Sequence, residues 1–115
     1  MNYIVLDFEF NQFFPFKKNT KEGSNPACPF EIIQIGAVKL DSDLNQIDSF
    51  NVYIKPQIYK KLHPFVEKIT GITVKTLETG TNFVSAYKDF IAFMGSDPCV
   101  LCTWGIDDIK SMYKK

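Results

Sequence analysis

At 115 residues, with 45% apolar and 15% aromatic side chains, the chain can bury one hydrophobic core and is too short for two ordinary domains. Thirteen basic and thirteen acidic residues cancel, which excludes the broad positive surface that drives tight, non-specific duplex binding. Every basic residue is a lysine, so the bidentate arginine contacts that read guanine or clamp phosphate are excluded as well.

The N-terminal residues Met1–Leu6 carry no basic stretch and run directly into Asp7 and Glu9, so a signal peptide is not expected. No run approaches the roughly 18 apolar residues of a membrane span. A soluble, cytoplasmic protein without membrane association is the expectation. Residues 3–10 alternate: Tyr3, Val5, Asp7 and Glu9 fall on one side of a strand, and Ile4, Leu6, Phe8 and Phe10 on the other, as its core side. A loop with a mobile tip is expected from Asn11 to Pro29, broken by Pro15, Gly23, Pro26 and Pro29 and charged at Lys17, Lys18 and Lys21.

The β-branched run Glu31–Leu40, the turn-prone Asp41–Asn45 and the extended Ile47–Ile54 predict a β-hairpin. Three strands on short links before any strong helix make an antiparallel start to the sheet. Beyond Pro56, Leu62, Phe65, Val66 and Ile69 have helical spacing, with Gly71 placed as a C-terminal cap. A longer helix should begin near Asn82, with Phe83, Tyr87, Phe90 and Met94 as its stripe, Val84 and Ile91 beside it, and Gly95 as its stop. After Pro98, Cys99–Thr103 fits a short buried strand, and Asp107 or Asp108 opens a last helix. Cys28, Cys99 and Cys102 are expected as free thiols. The Cys99/Cys102 spacing suits a zinc site poorly, because positions i and i+3 of a strand face opposite ways.

Asp7 and Glu9 carry the chemistry. They project from one strand face, roughly 7 Å apart. Unpaired carboxylates on a closed face would be costly, whereas a hard divalent cation such as magnesium or manganese removes that cost. For a lone D-x-E, a solvated sheet face on which acids are harmless is the better explanation.

Four segments in order change that balance: Asp7-Phe8-Glu9-Phe10-Asn11-Gln12, Glu31–Val38, Thr70-Gly71-Ile72-Thr73, and Thr103-Trp104-Gly105-Ile106-Asp107-Asp108. Over nearly its whole length the chain resembles the DEDD exonuclease superfamily of DEDDh type, nearest to the histone-mRNA exonuclease and ribonuclease T-like group. The resemblance implies an α/β, ribonuclease H-like mixed sheet, antiparallel in its first three strands and then parallel, with flanking helices. It implies 3′–5′ hydrolysis of phosphodiester bonds at single-stranded RNA or DNA 3′ ends, releasing a nucleoside 5′-monophosphate, with two magnesium or manganese ions. Asp7, Glu9 and Asp108 match the family's catalytic metal ligands. Asp108 is chosen over Asp107 because Asp108-Ile109-Lys110-Ser111-Met112 fits the family's D-apolar-x-x-apolar frame.

The family's third motif, which holds a histidine or tyrosine general base and a further aspartate, has no counterpart in this chain. Residues 1–115 are therefore expected as a C-terminally truncated part of the domain. Loss of a general base typically removes about 10²–10⁴ in rate, so the chain is expected to be weakly active or inactive, with a non-catalytic nucleic-acid- or protein-binding remnant as the alternative. Uncovered core surface would favour self-association. His63, before Pro64, is expected as a surface or cap residue. Phe8, Phe10 and Trp104 are candidate substrate contacts, with core packing the simpler explanation of Phe8 and Phe10. Phe13, Phe14 and Phe16 beside their lysines either stack on bases or pin the loop.

Overall fold

The computed structural model of the chain describes residues 1–14 and 26–103. Their elements run β1 (Asn2–Gln12), β2 (Phe30–Leu40), β3 (Gln46–Tyr53), α1 (Pro64–Thr70), α2 (Val74–Glu78), α3 (Phe83–Met94) and β4 (Cys99–Cys102). The strands form one sheet in the order β3-β2-β1-β4. β1–β2 and β2–β3 are antiparallel, and β4 joins β1 in parallel.

The alternation in β1 places Ile4, Leu6 and Phe8 in the core, together with Ile32, Ile35 and Ala37 of β2 and Ala86 and Phe90 of α3. Phe90 is fully buried, and burial of a side chain of that size contributes about 1.5–3 kcal/mol. Phe83, Tyr87 and Met94 pack against this cluster, whereas Val84 and Ile91 are exposed. Asn82 caps α3 by accepting the Ser85 N–H at 2.8 Å, and Gly95 ends it at φ 75°.

Ile32 and Ile35 share that core although they are three positions apart, which strict alternation forbids. A β-bulge accounts for it. Glu9 pairs with Gln34 and Phe10 with Ile32, so Ile33 is the extra residue and turns to the opposite face. There it meets Leu62, Ile72 and Leu77, with Tyr53 and Val66 at the margin, in a second cluster beneath α1 and α2.

α2 is a single turn that hydrophobic periodicity does not reveal, because five residues cannot show a stripe. Its signals are local: Thr73 Oγ1 accepts the Thr76 N–H, and Ile72 and Leu77 close over the helix start from either side of the cap. In α1, Pro64 occupies the first turn and Gly71, at φ 74°, donates its N–H to the Glu67 carbonyl. The expected stripe is only half used: Leu62 is buried and Val66 partly so, while Phe65 and Ile69 face outward.

Two further expectations need correction. Asn11 and Gln12 continue β1 instead of opening a loop, and residues 15–25 of that loop lie outside the described residues. β4 forms an edge strand with Val100 and Leu101 exposed, because no further element of the described residues covers it.

Candidate active site on the acid face of β1

Asp7 is exposed and Glu9 half-buried on the same side of β1, at the centre of the sheet. Across the β1–β2 ladder, Asp7 faces Gly36 and Glu9 faces Gln34. A Cβ at Gly36 would meet only the Asp7 carbonyl, at an ordinary 3.8 Å, so packing does not demand glycine there. What glycine does is leave the strip beside the Asp7 carboxylate free of a neighbouring side chain. One strand further out, Gln34 Nε2 donates to Asn51 Oδ1 at 2.7 Å, giving the face a fixed amide pair next to the two carboxylates.

The bulge falls beside Glu9. By turning Ile33 onto the acid side it lets α1 and α2 anchor there without crossing Asp7. The same side of β1 ends at Asn11, wholly buried, next to Glu31 of β2, 3% exposed. Each holds the irregular segment that precedes α1. The Glu31 carboxylate accepts the backbone N–H groups of Gln57, Ile58 and Tyr59, at 2.8–3.2 Å. Asn11 Nδ2 donates to the carbonyls of Tyr59 and Lys61, and its Oδ1 accepts the His63 N–H at 2.9 Å. A buried charge is stable only when paired or hydrogen-bonded, and here its partners are backbone amides. Sequence reading missed both residues, although a signal existed: Asn11 extends the i, i+2 series of Asp7 and Glu9, and Glu31 is a lone charge at the head of an apolar run.

β4 runs parallel to β1, with Cys102 opposite Val5 at its end. Asp108 and Trp104 lie outside the described residues, as do Asp107 and Phe16. Phe8, at 4% exposure, and Phe10 stand on the core side of β1, opposite the carboxylates, and their rings meet edge to face at 6.2 Å. Core packing accounts for both. Phe14 is exposed and its ring meets His63 at 4.8 Å. His63 is a cap: its Nδ1 accepts the Phe65 N–H at 3.0 Å. Cys28, Cys99 and Cys102 are free and half-buried. Among the described residues, no group of three or more histidine, cysteine, aspartate or glutamate side chains is arranged to hold a metal.

Comparison with known proteins identifies the family. Residues 4–114 match the family model of the RNase_T exonucleases. Human 3′-5′ exoribonuclease 1 is 28% identical over 94 residues, which cover 81% of this chain and 27% of that protein. The probable 3′-5′ exonuclease KapD of Bacillus subtilis is 31% identical over 111 residues, covering 93% and 49%. The nuclease domain of 3′hExo, a DEDDh family member bound to rAMP, superposes with a TM-score of 0.77 at 27% identity, covering 96% of this chain and 55% of that one. The chain thus spans about a quarter to a half of the length of these curated relatives. A ribonuclease H-like sheet, a D-x-E strand at its centre and a family match from residue 4 to 114 together make this chain a member of the RNase_T exonuclease family.

Proposed function

We propose that the chain is the N-terminal part of a metal-dependent 3′–5′ exonuclease domain that hydrolyses phosphodiester bonds at single-stranded RNA or DNA 3′ ends and releases nucleoside 5′-monophosphates. The observation that carries this reading is the pair Asp7 and Glu9 on one open face of the central strand, where Gly36 leaves room for a ligand. Two carboxylates in that setting are hard-oxygen donors suited to magnesium or manganese. Bound there, such ions supply Lewis-acid polarisation of the phosphoryl oxygens and an acidified water.

The chain's own residues set the geometry. Asp7 and Asp108 would hold the ions in this reading, Asp7 from β1 and Asp108 from the sequence that follows β4. Glu9 would help hold an ion and seat the 3′-terminal nucleotide. Phe8 and Phe10 stiffen β1 from below, which limits drift between the two acids. Trp104 is assigned to the same substrate surface by its place between β4 and Asp108 in the sequence. The open edge of β4, with Val100 and Leu101 exposed, supports self-association of this chain. No helix among the described residues is long and apolar enough to cross a membrane, and we place the activity in the cytoplasm on the sequence alone.

The test is calorimetric titration of magnesium or manganese into the chain and into Asp7→Ala, each with and without adenosine 5′-monophosphate. Binding that needs Asp7 and tightens with the nucleotide is the expected result, followed by 3′ trimming of a 5′-labelled single strand once a segment carrying the family's third motif is added. A folded chain that binds neither ion would sink the proposal.

A further inference from the structure

On the side of the sheet where Ile33 meets Leu62 and Leu77, the segment 55–62 and α2 line a half-open cavity of about 490 Å³, within the range of about 300–1,000 Å³ typical of small-molecule sites. It shares no residue with the Asp7–Glu9 face. Its floor is aliphatic, made by the buried Leu62 and Leu77 and by Val74, which is left 46% exposed. Its rim is polar and exposed, with Lys55 and Lys60 as cations, Gln57 as an amide and Glu78 as a carboxylate. Neither lysine ammonium nor the Gln57 amide has a side-chain partner among the described residues.

The wall carrying Gln57 and Lys60 has no regular secondary structure, yet it is fixed. Glu31 holds residues 57–59 by their N–H groups, and Asn11 holds 59, 61 and 63. The cavity is therefore shaped before a ligand arrives, which reduces the ordering cost of binding. Asn11 also belongs to β1, two residues beyond Glu9, so the wall and the acid strand keep a constant register.

We infer that this cavity is a second nucleotide site, taking the base, sugar and phosphate of a nucleotide upstream of the 3′ end of a single-stranded substrate. The inference rests on the exonuclease reading. A nucleotide has a part for each feature: a flat apolar body for the Leu62–Val74–Leu77 floor, phosphates for the two ammonium groups, base edges for the Gln57 amide, and sugar hydroxyls that donate to Glu78. An acidic peptide would use the lysines but leave the floor empty.

The test uses fluorescence anisotropy of a 5′-labelled single-stranded 12-mer with the 115-residue chain in EDTA, so that no divalent ion contributes. The Lys55→Ala/Lys60→Ala double variant is expected to weaken binding about tenfold. It should also lower the slope of log affinity against log salt by about 1.4, the value for two single-strand phosphate contacts. Val74→Ser should weaken binding about threefold with an unchanged slope, because it alters only the floor. Equal urea midpoints for all variants confirm that folding is not what changed. Wild-type affinity in the double variant overturns the inference. So does a ten-residue glutamate peptide that binds as tightly as the 12-mer, since bare charge would then suffice. If the 12-mer binds only with magnesium and only when Asp7 is present, the second site falls and the exonuclease reading stands. If it does not bind under any condition, the second site also falls, and the metal titration judges the exonuclease reading separately.

Discussion

One side of β1 carries two polar pairs with opposite fates. Asn11 and its neighbour Glu31 are buried, and their polar atoms are spent on backbone groups of residues 57–63. Asp7 is exposed and Glu9 half-buried, four and two residues earlier on the same strand, opposite a glycine and an amide. The first pair is explained by the fold itself: removing it would strand several backbone amides and carbonyls of residues 57–63, those of the buried Tyr59 among them. Neither member of the second pair holds the 57–63 segment, and Asp7 lies exposed. Polar residues on a central strand thus divide into those that hold the chain together and those kept available for something outside it.

Mutation can break that division, and the largest effect is expected at Glu31. Glu31→Ala leaves three N–H groups, that of the buried Tyr59 among them, without their acceptor and should cost about 3–5 kcal/mol, read from urea denaturation. Asn11→Ala should cost about 2–4 kcal/mol by the same measurement, because two carbonyls and one N–H lose a partner. Gly80→Ala comes next, at about 1–3 kcal/mol: its Cβ would sit 2.9 Å from the Tyr53 carbonyl and 3.0 Å from the Lys55 amide, neither of which can move freely. The smallest effect belongs to Asp7→Ala, expected within about 0.5 kcal/mol of wild type while divalent-ion binding is lost. Should Asp7→Ala unfold the chain as readily as Asn11→Ala, the two pairs would be alike and Asp7 would be structural.

Much of the fold was legible because β1, the β2–β3 hairpin and α3 each repeat a period over enough residues to declare themselves. The Asp7–Glu9 face was legible for the same reason. α2 was not, since one turn held by a Thr73 cap and an Ile72–Leu77 contact has no period to read. Nor was the division within α1, because whether Phe65 points in or out depends on where Ile33 emerges, and that is set by a bulge. Asn11 and Glu31 escaped notice for a related reason: their partners are backbone atoms 26 to 52 positions away, which leave no mark on side-chain chemistry. The burial expected of β4 failed because a short apolar run shows that a strand is apolar, not that something covers it.

The parallel pairing of β4 has a consequence for opening free energies. It closes the longest loop in the sheet, joining residues 2–5 to 99–102, and it is only four residues long at an edge. Its amides should exchange with deuterium sooner than those of the β1–β2 ladder, since few contacts must be lost to release it. Asp7 stands on the slow-exchanging ladder, while the chain toward Asp108 departs from the fast one. An ion held by both would slow exchange at β4 and leave β1 almost unchanged, so protection of Val100 and Leu101 would report ion binding through linkage.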